Sequence, residues 1–297
     1  METRPFQSCF TQTFDVIVFG AGYPAFGAAL QAQSDGKSVC LVNRQADLLW
    51  ESGRAFAPHA GASEHPLWLQ WADALKSRNA AADAEIDGAL AEVIATECIA
   101  ARDIHVLYYS TPVAAETQSD LLVSVLVATK SGYGRLSARQ WIDATETGEV
   151  LGLLHDTFPL KTPVQRTLFA YYQKLDWPDT GAVQLTLDNG IDLELQPSLW
   201  PRQRRLVVRF PGIATAPRRQ FIPALQALFD AHPELMADAV MSHCSLVDYR
   251  EYGPAEVVVE TPENLVPASP ALSDRGVSTL ADRFDLGAGS ASHLDDI

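Results

Sequence analysis

Phe14-Asp-Val-Ile-Val-Phe19 runs directly into Gly20-Ala-Gly22-Tyr-Pro-Ala25, and the fold turns on how this stretch is read. The first six residues are apolar apart from Asp15, as in a strand buried on both faces of a parallel sheet. The turn that follows has small residues at fixed offsets. Gly20 permits a tight turn, Gly22 lets a pyrophosphate approach the backbone, and Ala25 lets the next helix pack closely on the strand. Pro24 suits a first helical turn, where its missing N–H costs nothing. The helix ends at Gly36, and Ser38-Val-Cys-Leu-Val42 reads as a second buried strand. The unit is a parallel strand–helix–strand crossover. An acidic residue normally follows its second strand to hold a ribose. Here the place is taken by Asn43 and then Arg44. A neutral acceptor beside a cation also keeps a 2′-phosphorylated nicotinamide dinucleotide, NADP(H), in play.

Downstream, residues 44–82 are less regular, apolar residues from Ile86 to Ile99 have a helical spacing, and 104–109 reads as a strand. A meander follows over 113–116, 121–128 and 136–142, with Gly132-Tyr-Gly134 as a turn and Asp143–Gly148 closing it. The middle of the chain changes character. Val183–Leu187 and Ile191–Leu195 alternate with period two, as half-buried antiparallel strands do. A two-residue turn at Asn189-Gly190 would mix their faces. A three-residue loop with Gly190 left-handed pairs Leu187 with Ile191, Leu185 with Leu193 and Val183 with Leu195. Arg204–Phe210 is a third strand, with Leu206, Val208 and Phe210 on one face and Arg205, Val207 and Arg209 on the other. Residues 219–241 read as helix. The chain ends with a strand at 256–260, the segment 263–269, and a helical stretch at 277–294 containing Gly287 and Gly289.

The 297 residues carry 22 Lys and Arg against 37 Asp and Glu, a formal charge of −15. That balance argues against nucleic acid and anionic membrane as partners, since both are polyanions. No apolar run approaches the roughly 20 residues that span a bilayer, and METRPFQSCFTQTF lacks the apolar core of a secretory signal. The cysteines at 9, 40, 98 and 244 are scattered and form no CxxC pair, so neither a disulfide framework nor a zinc site is expected. No histidine spacing supports another metal site. A soluble, cytoplasmic protein is the expectation, with Cys40 inert in its buried strand.

The Phe14–Ala25 segment, the meander from about 105 to 142 and Trp141-Ile-Asp-Ala-Thr145 together resemble the FAD-dependent oxidoreductases of the glutathione-reductase-like flavoprotein superfamily. The likeness covers about 13–62, 104–150 and 255–294. It implies an α/β fold. A Rossmann-like FAD-binding domain, a parallel sheet plus crossover meander, would comprise 1–155 and 256–297. An antiparallel β + α substrate domain would be inserted at 156–255. It implies FAD at Gly20, Gly22 and Ala25, with Asn43 and Arg44 near the ribose and a backbone amide at Val113 against the adenine. Ala144-Thr145 matches a family Ala-Thr-Gly turn, with Glu146 in place of its glycine. Asn264-Leu-Val-Pro-Ala-Ser269 and Leu286-Gly287-Ala288-Gly289 match the return to the flavin, with Ser269 where glycine is usual. The loop from Arg54 to Gly61 would run beside the flavin ring.

The chemistry expected is oxidation of a small organic substrate by hydride transfer to flavin. His59, in that loop, is the first candidate base, and His155 the second. His105 reads as structural, and His65, His232 and His293 as surface residues. Arg202, Arg204, Arg205, Arg209, Arg218 and Arg219 concentrate positive charge in an acidic chain. They read either as recognition of a substrate carboxylate or phosphate, with Arg205, Arg209 and Tyr172 as contacts, or as a solvated face. Asn43, Glu146 and Ser269 depart from the family at cofactor positions. With the compact length, they leave a second expectation: a flavoprotein-like subunit, a homo-oligomer or paired with a partner, that binds a nucleotide or that partner without doing chemistry.

Overall fold

A computed structural model describes residues 10–82, 85–155, 160–177, 181–254, 257 and 259–292. Chain order begins with β1 (Phe10–Phe19), α1 (Tyr23–Ser34), β2 (Val39–Val42), α2 (Trp50–Gly53) and α3 (Pro66–Ser77). It continues through the short β3 (Ala81–Ala82) and β4 (Glu85–Ile86), then α4 (Gly88–Ala101) and β5 (His105–Leu107). The meander is β6 (Thr111–Gln118), β7 (Leu121–Thr129) and β8 (Gly132–Asp143). Next come β9 (Gln165–Gln173), β10 (Val183–Thr186), β11 (Asp192–Pro197) and β12 (Gln203–Pro211). The chain closes with α5 (Pro217–Ala231), α6 (Pro233–Met236), β13 (Val240–Cys244), β14 (Tyr249–Glu251), β15 (Leu265–Pro267) and α7 (Leu280–Ser292).

The fold is α/β, with a Rossmann-like sheet and a separate antiparallel sheet. The first sheet has the order β5-β2-β1-β8-β7-β6, with β15 also on β8. β5, β2, β1, β8 and β15 run parallel, and the meander supplies the antiparallel pairs. Val16–Phe19 pair with Val39–Val42 on one side and Gln140–Asp143 on the other, and all four are fully buried. A continuous apolar strand is thus the centre of the sheet. The second sheet, β10-β11-β12-β9-β13 with β14 on β9, is drawn from residues between 165 and 251. Its register is the one the three-residue loop requires: Val183 faces Leu195 and Leu185 faces Leu193, while Leu187 N donates to Ile191 O and Gly190 has φ +77°. Leu206, Val208 and Phe210 pack with Leu225 and Leu228 of α5, whereas Val207 joins the core of the first unit.

Three expectations need correction. Residues 219–241 are not one helix. Pro233 cannot continue the bonding of α5, which ends at Ala231; a turn through Asp238 (φ +61°) then leads to strand β13. Residues 44–82, irregular in sequence, contain the amphipathic α3, and residues 165–173, without a strand pattern in the sequence reading, form β9 in the interior of the second sheet. Gly287 and Gly289, matched in sequence to the return to the flavin, lie in the middle of α7 and not at its start. Glu256 and Val258 of the expected strand at 256–260, and His293, lie outside the described residues. Among the described residues, no helix is long and apolar enough to cross a membrane.

Helices α1 and α7 cross in direct backbone contact. A Cβ on Gly27 would strike the Phe284 carbonyl, and a Cβ on Gly287 would strike the Pro24 carbonyl. Gly287→Val is therefore expected to destabilise the protein by about 3 kcal/mol through overpacking. Urea unfolding followed by circular dichroism measures this, and an unchanged midpoint would mean the helices do not meet this closely.

Candidate functional site

At the carboxyl ends of the parallel strands, β2 lies to one side of β1 and β8 to the other. Such a switch point leaves a crevice outside the sheet where ligands bind. Here it is a cavity of about 260 Å³. Gly20 and Ala21 form one wall, Asn43 and Arg44 the end of β2, Ser110 and Pro112 the start of β6, and Thr145 and Glu146 the end of β8. Arg54, Val247 and Arg250 close it from the other side. Gly20 (φ +134°) lies so close to the Ala144 carbonyl that a Cβ would strike it. Asp143 is buried and holds the turn beyond β8, accepting from Thr145 Oγ1 (2.6 Å), Val150 N (2.8 Å) and Leu151 N (3.0 Å).

The N-terminus of α1 points into the same region. Gly22 (φ +92°) precedes the helix, and no side chain of its own caps it. The cap comes from α2 instead. Tyr23 N donates to both carboxylate oxygens of Glu51 (3.2 and 3.3 Å), and a Cβ on Gly22 would strike that carboxylate. Glu51 is fully buried, as is Arg283 of α7 beside it. Arg283 Nη1 reaches Glu146 at 2.8 Å and Glu51 at 3.4 Å, and Nη2 donates to the Arg250 carbonyl at 2.5 Å. The guanidinium also lies against the Tyr249 ring, 4.8 Å from its centroid. Burial opposes the charge on Arg283, but Glu146, Tyr249 and Glu51 outweigh it and keep the guanidinium charged. Burial pushes the Glu51 carboxyl up to about 8, with the Arg283 charge opposing.

Two smaller cavities lie between the sheets. The first, about 230 Å³, is lined by His59, Thr167, Phe169, Arg209 and Glu251. The second, about 240 Å³, is lined by Glu85, Tyr171, Trp200, Arg205 and His243. Arg205 is 1% exposed and donates to Glu85 at 2.7 Å, while its Nε and Nη1 are buried without an acceptor. His243 stacks on Tyr171, centroids 4.4 Å apart. His59 keeps contact with solvent, yet the protein around it and the Arg205 charge hold its pKa below the ordinary histidine value.

The structure gathers part of the expected set. Gly20, Asn43, Arg44, Arg54 and Thr145 line the crevice; Gly22 and Ala144 adjoin it. Asn43 is tied up locally: Nδ2 donates to Asp47 O and Oδ1 accepts from Gln45 N, both at 2.7 Å. Arg44 pairs with Glu149 at 3.2 Å. Glu146 lines the crevice and pairs with Arg283. Other residues are placed elsewhere. Ala25 is buried in the core. Val113 falls in a bulge of β6 with its side chain exposed, so Ser110 and Pro112 line the crevice instead. Ser269 stitches chain ends together through Asp143 O (3.0 Å). Gly287 and Ala288 are corrected to helix packing: Gly287 seats α7 on α1, and Ala288 is buried beside it. His155 lies away from these cavities, its Nε2 against Glu260 O at 2.7 Å. Tyr172 points into the core of the second sheet, packing on Phe229; period two puts Tyr171 on the cavity side. The arginine face is not simply solvated, since Arg205 is buried against the first unit.

Arg283, Glu51 and His243 were not singled out from sequence. The available signal for Arg283 was a single cation in a helix otherwise made of small, apolar and acidic residues. For Glu51 it was an acidic residue between the apolar Leu48-Leu-Trp50 and Arg54, with no pattern to say that it folds back.

Residues 15–154 match the family described as FAD dependent oxidoreductase. No curated protein matches the chain. Solved structures share the fold. A geranylgeranyl bacteriochlorophyll reductase-like protein from Thermoplasma acidophilum is 12% identical, with a TM-score of 0.69, covering 96% of this chain and 79% of that one. A flavoprotein/dehydrogenase from Cytophaga hutchinsonii is 15% identical, with a TM-score of 0.67, covering 95% and 78%. An anhydrotetracycline hydroxylase from Streptomyces rimosus is 15% identical, with a TM-score of 0.62, covering 96% and 65%. The resemblance read in the sequence is thus met by a family model over 15–154, just under half of the chain, and halogenases, hydroxylases and reductase-like flavoproteins share the fold.

FAD is the cofactor of that family, and the chain meets it unevenly. The crevice between the end of β2 and Pro112 suits the adenosine half. The pyrophosphate belongs at the N-terminus of the first helix, where the Glu51 carboxylate lies. With Glu51 in that place the phosphates do not fit.

The raised pKa of Glu51 links to stability. A carboxyl near 4.5 when unfolded and near 8 when folded binds more protons in the folded state between those values. Its contribution is therefore full below pH 4.5 and is lost as pH rises through about 8. Glu51→Gln removes this dependence. Urea unfolding at pH 6 and pH 8.5 is expected to show the wild type losing a few kcal/mol more than the variant; equal losses would place the Glu51 pKa in the ordinary range.

Proposed function

We propose that this chain is an FAD-dependent oxidoreductase that oxidises a small organic molecule bearing a carboxylate or phosphate, with hydride passing to flavin. The observation that carries the reading is the crevice at the switch point, walled by Gly20, Ala21, Asn43, Ser110 and Thr145. Flavin supplies the two-electron acceptor when bound. In this reading residues 1–155 with 256–297 form the cofactor unit and 156–255 the substrate unit. The cavities between them take the substrate. Arg205 offers two buried N–H donors that lack an acceptor, which an anionic oxygen would satisfy. His59, its pKa held below the usual value, is neutral at pH 7 and accepts the proton lost by the substrate.

Asn43, already bonded at both ends of its amide, favours a second reading: a nucleotide-binding chain without redox chemistry. Titration with FAD, followed by quenching of flavin fluorescence, separates the two. The oxidoreductase reading expects saturable binding that adenosine displaces. It also expects Arg54→Glu to weaken FAD at least tenfold by placing a like charge at the crevice wall. Binding of adenosine with no binding of FAD at any concentration reached, by the wild type or by a variant of the crevice, would leave only the second reading.

A further inference from the structure

We infer that the Glu51 carboxylate is a built-in occupant of the phosphate seat at the head of α1, so that FAD loads only by displacing it. The inference rests on the reading that the crevice takes FAD.

Three observations meet at one point. First, the head of α1 is capped by a carboxyl group from the chain itself. Tyr23 N donates to both Glu51 oxygens, and the space that Gly22 leaves by lacking a side chain is filled by that carboxylate. A glycine at this offset normally keeps that space open for pyrophosphate. Second, the cation beside it is fully buried and incompletely used. Arg283 Nε has no acceptor, although Nη1 and Nη2 contact Glu51, Glu146 and the Arg250 carbonyl. A buried guanidinium with an orphaned donor is poised to take a larger anion than the two carboxylates now supply. Third, the loop that carries Glu51 is held shut. Leu48 N and Leu49 N donate to the Glu92 carboxylate (2.6 and 2.7 Å), and Gly22 N donates to Leu48 O (2.6 Å). The adenosine crevice is open while the phosphate seat is filled. The chain is therefore set to hold the nucleoside end of the cofactor readily and its charged middle poorly. Once Glu51 has withdrawn, Arg283 is the residue that would receive the phosphates.

The experiment compares wild type, Glu51→Ala and Glu51→Gln, with adenosine and FAD as separate probes. Binding is read by isothermal calorimetry and by flavin fluorescence. Glu51→Ala is expected to tighten FAD at least tenfold and to leave adenosine within about twofold. Glu51→Gln, which keeps the volume and the cap but cannot ionise, is expected to fall between and serves if the alanine variant fails to fold. FAD held equally by all three proteins would overturn the occupant while leaving the oxidoreductase reading intact. Failure of all three folded proteins to bind either probe would overturn both.

Discussion

The contact on which the site depends is that of α1 with α7. Gly27 and Gly287 let the two backbones touch, and that approach carries Arg283 to the head of α1. A helix N-terminus has a partial positive charge, so a cation placed there without compensation would be strongly unfavourable. Breaking a buried ion pair by removing one partner typically costs about 3–5 kcal/mol. Glu51 and Glu146 resolve this conflict, one from the loop after β2 and the other from the turn after β8. Neither acid is an isolated departure from the usual small residues at these turns. Each answers a charge delivered by the C-terminal helix.

This arrangement also ties the second sheet to the first. The Arg250 carbonyl before Glu251 accepts from Arg283, and Tyr249 donates from its hydroxyl to Ser278 O at 2.9 Å. Farther along the loop after α2, Ser245 Oγ donates to Ala55 O (2.7 Å), Leu246 N to Arg54 O (2.8 Å) and Tyr171 Oη to Phe56 O (3.1 Å). The segment from Arg54 to Phe56 is thus held by β9 and by the loop between β13 and β14 of the second sheet. One loop therefore runs from Glu51 at the head of α1 to His59 at the cavity beside the second sheet.

Much of the fold was legible in the sequence because its signals are local. The apolar run at Val16–Phe19, the small residues at 20, 22 and 25, and the alternation at 183–195 each specify geometry within a few residues. The crevice could be located from the same motif. What escaped was set by long-range contacts. Glu51 and Arg283 lie 232 positions apart, and no local pattern says that one neutralises the other. Tyr171 and Tyr172 show the same limit: alternation tells that they face opposite ways, but only the packing of α5 decides which is core. The glycines of α7 look like a ligand turn in sequence and prove to be a helix contact, since both uses require a missing side chain.

The acidity of the chain takes on a definite meaning at the crevice. Three of the cations there are already committed in pairs: Arg44 with Glu149, Arg250 with Asp248, and Arg283 with Glu146 and Glu51. A dianionic group arriving there meets few uncommitted charges to attract it. It must exchange partners, and each exchange exposes a carboxylate that has to find water or a proton. The exposed pair at Arg44 is inexpensive to open, since such pairs are worth about 0–1 kcal/mol. The buried pairs at Arg283 are not. Glu51 differs from the others because burial raises its pKa to about 8, so it can leave the cluster as a neutral acid and need not be expelled as an anion. The same burial that keeps Glu51 in the phosphate seat thereby lowers the cost of its release.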